Sequence, residues 1–175
     1  FGKMTMLQSD KWHRLWDPSS YIGYAKMPLM FLNGTNDFAY PMDSYAKTCA
    51  LVRSKKNYSI QLNMKHGHIF DFPEFFLFID QYILNGTPMP EVSRPVVKKN
   101  KVSALVKAET KLIEAKLYYT IAPHDQNRSR AWHTIDLTLN GNRINGDAPP
   151  DDAKVWYVAV RDERKAITSS ELIMP

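Results

Sequence analysis

The sequence predicts an α/β segment followed by an all-β segment, and three observations lead to this fold class. Strand-like and helix-like patterns alternate through residues 1–90, which indicates a parallel sheet with flanking helices. Residues 91–100 are rich in proline and charge, which is typical of a linker. Apolar residues then recur with a period of two through residues 101–175, which predicts a small β-sandwich.

Two strands and a helix are predicted in the first part of the α/β segment. The run "MPLMFLN" at residues 27–33 is almost continuously apolar, as in a strand buried on both faces. Apolar residues then recur at helical spacing from Pro41 to Lys56, which predicts a helix. The run "YSIQLNM" at residues 58–64 predicts the next strand. Parallel pairing of the two strands follows from this alternation.

The clearest helix predicted by the sequence covers residues 71–86. Asp71 is placed to cap its first turn, and Glu74 follows three residues later, as in a capping box. Five phenylalanine and isoleucine residues and Tyr82 supply one apolar face, and Asn85–Gly86 is a typical helix end. We therefore expect a helix packed through its aromatic face.

The strand pattern is sharpest near the end of the chain, in "KVWYVAVRD". Its alternation predicts that two sets of side chains point to opposite faces of one strand. One set is Val155, Tyr157 and Ala159, and the other is Trp156, Val158 and Val160. Both sets are apolar, so this strand is expected to have both faces covered.

Composition narrows the function classes. The net charge of +5 is mildly basic, but aromatic residues do not interleave with the basic cluster at residues 98–111, so we predict no nucleic-acid partner. No apolar run approaches the roughly 18 residues that span a bilayer, so no membrane role is predicted. The single cysteine, Cys49, excludes an internal disulfide and a cysteine-based zinc site, and its helical context predicts a small core residue.

A carboxylate and two histidines follow the two predicted parallel strands. Asp37 comes after the first strand in "GTND", and His66 and His68 come after the second in "KHGH". Ligands bind at the carboxyl ends of such strands, so these side chains are expected to meet there. A carboxylate that orients an imidazole makes it a general base for a nucleophile. A turn role for Asp37 and a metal site at His-x-His remain alternatives, although no further ligand set completes a metal site.

Beyond these residues, the order of motifs resembles a known family. "DPSSYIGYAKMPLMFLNGTNDFAYPMDSY" followed by "NMKHGHIFDFPEFFLFIDQYILNGTPMP" resembles the C-terminal half of acetyl xylan esterase-like, prolyl-oligopeptidase-related α/β-hydrolases, over roughly residues 12–90. The resemblance implies that Asp37 is the acid of a Ser-His-Asp triad and His66 its base, with His68 as the alternative base. It also implies an appended immunoglobulin-like or fibronectin-like sandwich and suggests a secreted or periplasmic location.

The sequence departs from that family in the nucleophile. None of the seven glycines builds the G-x-S-x-G turn on which such a serine lies. Because the nucleophile precedes the acid and base in this fold, and the chain begins "FGKMTM" without an initiator methionine, we expect the serine upstream of this chain. The 175 residues alone are then expected to be inactive, and the missing half, or self-association, is expected to cover an exposed sheet edge.

These observations predict the C-terminal part of a serine hydrolase that acts on an ester-bearing carbohydrate or a small acyl substrate. No cofactor and no metal are predicted to take part. The alternative is a non-catalytic binding or scaffold module that keeps the same elements for structure only. A G-x-S-x-G motif in the full-length protein would support the first prediction.

Overall fold

The computed structural model of the protein describes residues 2–64, 66–67, 71–123 and 129–174. These residues form three α-helices, which are α1 (Met6–Trp16), α2 (Met42–Leu51) and α3 (Pro73–Ile83). Two short 3₁₀ helices, Pro18–Ser20 and Ile22–Tyr24, follow α1. The strands are β1 (Leu29–Gly34), β2 (Lys56–Gln61), β3 (Glu91–Val92), β4 (Val96–Lys98), β5 (Lys101–Lys107), β6 (Leu112–Thr120), β7 (His133–Asp136), β8 (Thr138–Asn140), β9 (Arg143–Asp147), β10 (Val155–Asp162) and β11 (Ile167–Ser169).

A mixed sheet forms the centre of the molecule. Within the described residues it has six strands in the order β1-β2-β11-β10-β6-β7. β1 and β2 pair in parallel, from Leu29 opposite Lys56 to Gly34 opposite Gln61. The other four pairs in this sheet are antiparallel. β2 is joined to β11 through Tyr58 opposite Ser169, so strands from both ends of the chain share one sheet.

A second, antiparallel sheet covers one face of the first. Its described strands follow the order β3-β5-β9-β8, and β4 also pairs with β5. The core between the two sheets contains Val102, Ala104, Val106, Ala115, Leu117, Leu137, Ile144, Ala153, Trp156, Val158 and Val160. The other face of the mixed sheet has its own core, made of Met42, Ile60, Val155, Tyr157, Ala159 and Leu172. The two predicted side-chain sets of β10 thus enter different cores, which confirms the prediction of a strand covered on both faces.

The predicted fold class is wrong. An α/β-hydrolase sheet is built from several parallel strands, whereas β1 and β2 are the only parallel neighbours among the described strands. The described strands form a mostly β fold, and the parallel pair continues directly into antiparallel strands instead of into a hydrolase sheet with a separate sandwich. The domain bounds 1–90, 91–100 and 101–175 stay a prediction, with β3 and β4 lying inside the predicted linker segment.

The predicted local elements differ from the observed ones at α3. This helix begins after Phe72 without a side-chain cap, so the capping box of Asp71 and Glu74 is wrong. The Glu74 side chain is buried and accepts hydrogen bonds from Gln61 Nε2 (3.1 Å) and from the backbone N–H of Ile167 (2.6 Å). The helix ends as predicted, because Asn85 takes a left-handed backbone conformation just beyond it.

The small core role predicted for Cys49 is confirmed, because this residue of α2 is buried. No helix in the described part of the chain is long and apolar enough to cross a membrane.

Candidate acid–base site at the ends of β1 and β2

Asp37 and His66 form a hydrogen-bonded pair at the carboxyl ends of β1 and β2. The His66 Nδ1 and the Asp37 Oδ2 are 3.0 Å apart. Asp37 is 5% exposed, whereas 35% of the His66 side chain is exposed. Parallel pairing brings the two residues together, because it places both strand ends at one edge of the sheet. The arrangement orients one ring nitrogen through a buried carboxylate and leaves the ring itself accessible.

Asp37 is held by its own turn as well as by the imidazole. Its Oδ1 accepts hydrogen bonds from the backbone N–H groups of Ala39 (2.7 Å) and Tyr40 (3.0 Å). Burial is the largest single influence on the pKa of Asp37 and raises it. The hydrogen bonds from His66, Tyr40 and Ala39 together outweigh burial, so the pKa of Asp37 lies below its ordinary value. Asp37 is therefore a carboxylate at neutral pH.

Close packing of the two strand ends fixes the distance between the loops that carry the pair. A side chain at Gly34 would collide with the backbone oxygen of Met64, so only glycine allows this approach. The hydroxyl of Thr35 accepts a hydrogen bond from the backbone N–H of Asn63 (2.9 Å) and donates one to Asn36 Oδ1 (2.8 Å). The loop after β1 is thereby joined to the loop after β2.

A third segment reaches the same site from the second half of the chain. The Asn36 side-chain amide donates a hydrogen bond to the backbone oxygen of Arg130 (2.9 Å), which lies between β6 and β7. Sequence reasoning weighed a turn role for "GTND" against a catalytic role for Asp37, and it did not assign Thr35, Asn36 and Arg130 as supporting residues. The polar residues in "GTND" were a signal for Thr35 and Asn36, but nothing in the local sequence indicates the contact with Arg130, 94 positions away.

Two aromatic rings flank the imidazole. The ring centroids of Phe38 and Tyr40 lie 5.1 Å and 5.5 Å from that of His66. Both aromatic residues come from the same loop as Asp37, so one short segment supplies the carboxylate and the packing of its partner. The His66 ring is thus restricted in orientation by contacts as well as by its hydrogen bond.

His68 and a metal site were the two alternatives at this edge of the sheet. His68, the alternative base, lies outside the described residues. Within the described ranges, no three His, Cys, Asp or Glu side chains lie close enough to hold a metal ion together. The described site is therefore an imidazole that a buried carboxylate orients through its Nδ1.

Comparisons with known proteins do not place the chain in a family. No family model matches it, and no curated protein matches it. Two solved structures similar to part of it are pectate lyases. One is PelI from Erwinia chrysanthemi in complex with tetragalacturonic acid, with 13% identity, a TM-score of 0.31, and coverage of 49% of this chain and 28% of that chain. The other is Pel3 from Pectobacterium carotovorum, with 11% identity, a TM-score of 0.30, and coverage of 49% of this chain and 25% of that chain.

The resemblance to acetyl xylan esterase-like α/β-hydrolases is wrong. Its motifs are local in sequence, whereas the described sheet has one parallel pair, β1 with β2, and lacks the run of parallel strands that defines that fold. The chain is therefore not assigned to the α/β-hydrolases with a serine triad, and the location suggested by the resemblance loses its basis. The pectate lyase likeness spans about a quarter of each lyase and, at these TM-scores, carries no argument about the activity of this chain.

Proposed function

We propose that Asp37 and His66 are the acid–base pair of a serine hydrolase that cleaves an ester, with the nucleophile supplied from outside the described residues. One observation supports it, namely the 3.0 Å hydrogen bond between a buried carboxylate and a partly exposed imidazole at the ends of two parallel strands.

The chemistry follows from the hydrogen bond at Nδ1. Because the carboxylate of Asp37 accepts the Nδ1 proton, the neutral ring of His66 keeps its lone pair on Nε2. Nε2 takes the proton of a serine hydroxyl as the serine oxygen bonds to the ester carbonyl carbon. The imidazolium then gives this proton to the departing alcohol oxygen, and an acyl-serine remains. Water repeats the sequence with the same base, which releases the acid and restores the serine.

A second Asp–His pair in the chain provides a matched control. His13 Nδ1 and Asp17 Oδ2 on the exposed end of α1 are also 3.0 Å apart. That pair joins the last turn of α1 to the residue that follows it, the side chains of His13 and Asp17 are 57% and 30% exposed, and no strand end is involved. If orientation at the sheet edge creates the base, only the His66 pair should support catalysis.

The test measures hydrolysis of p-nitrophenyl acetate by the protein that carries this chain together with its nucleophile. We expect His66→Gln to lower kcat/KM by about 10³-fold or more, since a triad without its base retains little activity. His13→Gln should leave the rate within about twofold. Labelling with a fluorophosphonate should identify one serine. When the protein is unfolded, the labelling of this serine should disappear together with the activity. Full activity in His66→Gln, or the absence of a labelled serine in an active protein, would sink the proposal.

A non-catalytic binding or scaffold module is the second candidate. It is favoured by the two backbone hydrogen bonds to Asp37, which would justify the carboxylate as a turn residue without any chemistry. In that case neither the wild-type protein nor His66→Gln hydrolyses the ester.

A further inference from the structure

The acid–base pair opens into a cavity of about 770 Å³ between β1 and α3. This volume is within the range of sites that hold one small ligand. Most of its described lining is apolar, and aromatic residues of the α3 segment contribute Phe72, Phe75 and Phe78. Asp37 and His66 lie in the same lining. A molecule held there would be in reach of the base.

The direction of β1 shows how such a molecule would lie. The cavity wall follows β1 from Leu29 to Asn33, an advance of about 13 Å at the usual rise of a strand. Asp37 follows the carboxyl end of this strand, and His66, which follows the neighbouring end of β2, is hydrogen-bonded to it. The apolar part of the wall therefore extends away from the base along β1.

The charges of the lining select against anionic ligands. Among its described residues the cavity has one carboxylate, Asp37, and no lysine or arginine. Asp37 keeps its charge at neutral pH because of its lowered pKa. An acidic ligand would therefore meet an anion without a described cation to pair with, which costs free energy in a partly enclosed site.

We propose that this cavity binds the uncharged, aromatic or acyl part of the ester and presents its carbonyl group to His66. This inference rests on the proposed function and names its substrate class, a small neutral ester with an apolar group. The cavity surrounds the apolar group, and the aromatic rings of α3 contact it. Sugar acids and other polyanions are poor ligands of this site.

Binding can be measured without turnover. N-phenylbutanamide is neutral, carries a ring and a butanoyl chain, and resists hydrolysis. Methyl-¹³C labelling of methionine provides the readout, because Met30 and Met64 line the cavity. Met42 and Met89 are buried elsewhere and act as internal controls. We expect saturable shifts at Met30 and Met64, with little change at Met42 and Met89.

Alanine substitutions of two adjacent phenylalanines of α3 provide a matched pair of variants for the binding measurement. Phe75 lines the cavity and Phe76 does not, although both rings are partly exposed. Phe75→Ala should weaken binding at least fivefold, and Phe76→Ala should change it by less than twofold. The unfolding midpoint of each variant shows whether it folds. Because Phe75 is exposed in part, a more conservative Phe75→Leu provides a second measurement, with an intermediate loss of affinity.

Several outcomes would overturn the inference. These are the absence of saturable shifts at Met30 and Met64, equal weakening by both alanine variants, or binding of tetragalacturonate as tight as that of the amide. If the chemical shifts of Met30 and Met64 depend on protein concentration, and the amide no longer binds at high concentration, a second copy fills the cavity. This result would also overturn the inference. Amide binding that persists in His66→Gln while no ester is hydrolysed would remove the proposed function and leave the binding site standing. Ester hydrolysis that persists without amide binding would remove the proposed binding site and leave the proposed function standing.

Discussion

Asp37 combines two roles, in its own turn and in the pair with His66, and they depend on its charge to different degrees. It accepts two backbone hydrogen bonds that close its own turn and one from His66. A neutral asparagine keeps the turn through its amide oxygen, but it presents an N–H group to the Nδ1 of His66. The ring would then have to place its proton on Nε2, which removes the lone pair that a base needs. Charge at Asp37 therefore matters more for the proposed chemistry than for the turn.

The stability contribution of this charge depends on pH in a definite direction. A carboxyl whose pKa is lower in the folded than in the unfolded protein stabilises the fold above its unfolded value, and this contribution is lost as the pH falls through the folded pKa. The ordinary value for Asp37 is 3.8. We expect Asp37→Asn to lower the free energy of unfolding by about 1–3 kcal/mol at pH 7. This difference should shrink as the pH falls below 3.8.

Urea unfolding of both proteins between pH 7 and pH 3 checks this expectation. Asp151→Asn is the control, since Asp151 lies in an exposed turn. It should give only a small difference in the free energy of unfolding at pH 7. A pH-independent loss in Asp37→Asn would contradict the lowered pKa.

The pairing of Asp37 with His66 could be anticipated from sequence because it depends on two strand ends and their parallel order. The role of the pair in catalysis stays a prediction. Thr35 and Asn36 could not be assigned, because their partners Asn63 and Arg130 are defined by the way distant backbone segments pack. A turn motif indicates its own hydrogen bonds but not those that it makes to another part of the chain.

At the scale of elements, α3 shows where pattern reasoning stops. Its position and its end could be predicted from apolar spacing and from Asn85. Its orientation could not, because the only buried residue among its described positions is Glu74, while the phenylalanines are partly exposed. Hydrophobic spacing assigns the aromatic face to a core, but a buried hydrogen-bond network anchors this helix instead.

We therefore expect Glu74 to contribute more to the stability of the fold than a charged residue usually does. Its Oε1 accepts hydrogen bonds from the Gln61 side chain and the Ile167 backbone, which connects α3 to β2 and β11. Glu74→Ala leaves the buried Gln61 amide and the part-buried Ile167 N–H without this acceptor, so we expect a loss of about 2–4 kcal/mol in the free energy of unfolding. Glu91→Ala, which breaks the exposed ion pair with Lys55, should cost less than about 1 kcal/mol.

Urea unfolding at pH 7 compares these two variants directly. Glu74→Gln adds a further test, because its amide oxygen can still accept both hydrogen bonds and should retain most of the stability. Equal losses in Glu74→Ala and Glu91→Ala would show that the buried network does not anchor α3.

At the scale of the whole molecule, the order of strands in the mixed sheet was the part that sequence could not predict. The alternating pattern of β10 correctly predicted two covered faces, but a pattern does not name the neighbours of a strand. The contact of β2 with β11 joins Tyr58 to Ser169, more than a hundred positions apart, and it depends on a single ladder pair. Such a contact is decided by the packing of the cores, whereas the strands themselves are decided locally.

The most exposed apolar side chains of the described residues include several in the N-terminal elements. No described residue of α1 is buried, and Met6, Leu7 and Trp16 are 85%, 80% and 70% exposed. β1 is the edge strand of the mixed sheet, so its outer backbone groups have no strand neighbour among the described residues. Exposed apolar side chains and an unpaired strand edge are each surfaces on which another strand or helix readily packs.

We therefore expect the 175-residue chain to self-associate when it is purified alone. Burial of Leu7 and Trp16 between two copies removes apolar area from water, which stabilises the associated form at about 25 cal/mol per Å² before the cost of association is subtracted. Sedimentation velocity over a range of protein concentrations should show a shift from monomer to dimer or larger species.

Leu7→Lys should weaken association at least tenfold, because it places a charge in the buried surface. Ile121→Lys, at an apolar residue 48% exposed in the second half of the chain, should leave association unchanged. A well-ordered monomer at every concentration, with the same sedimentation for the wild-type chain and Leu7→Lys, would show that the exposed apolar side chains of α1 and the edge of β1 are stable in water and need no cover.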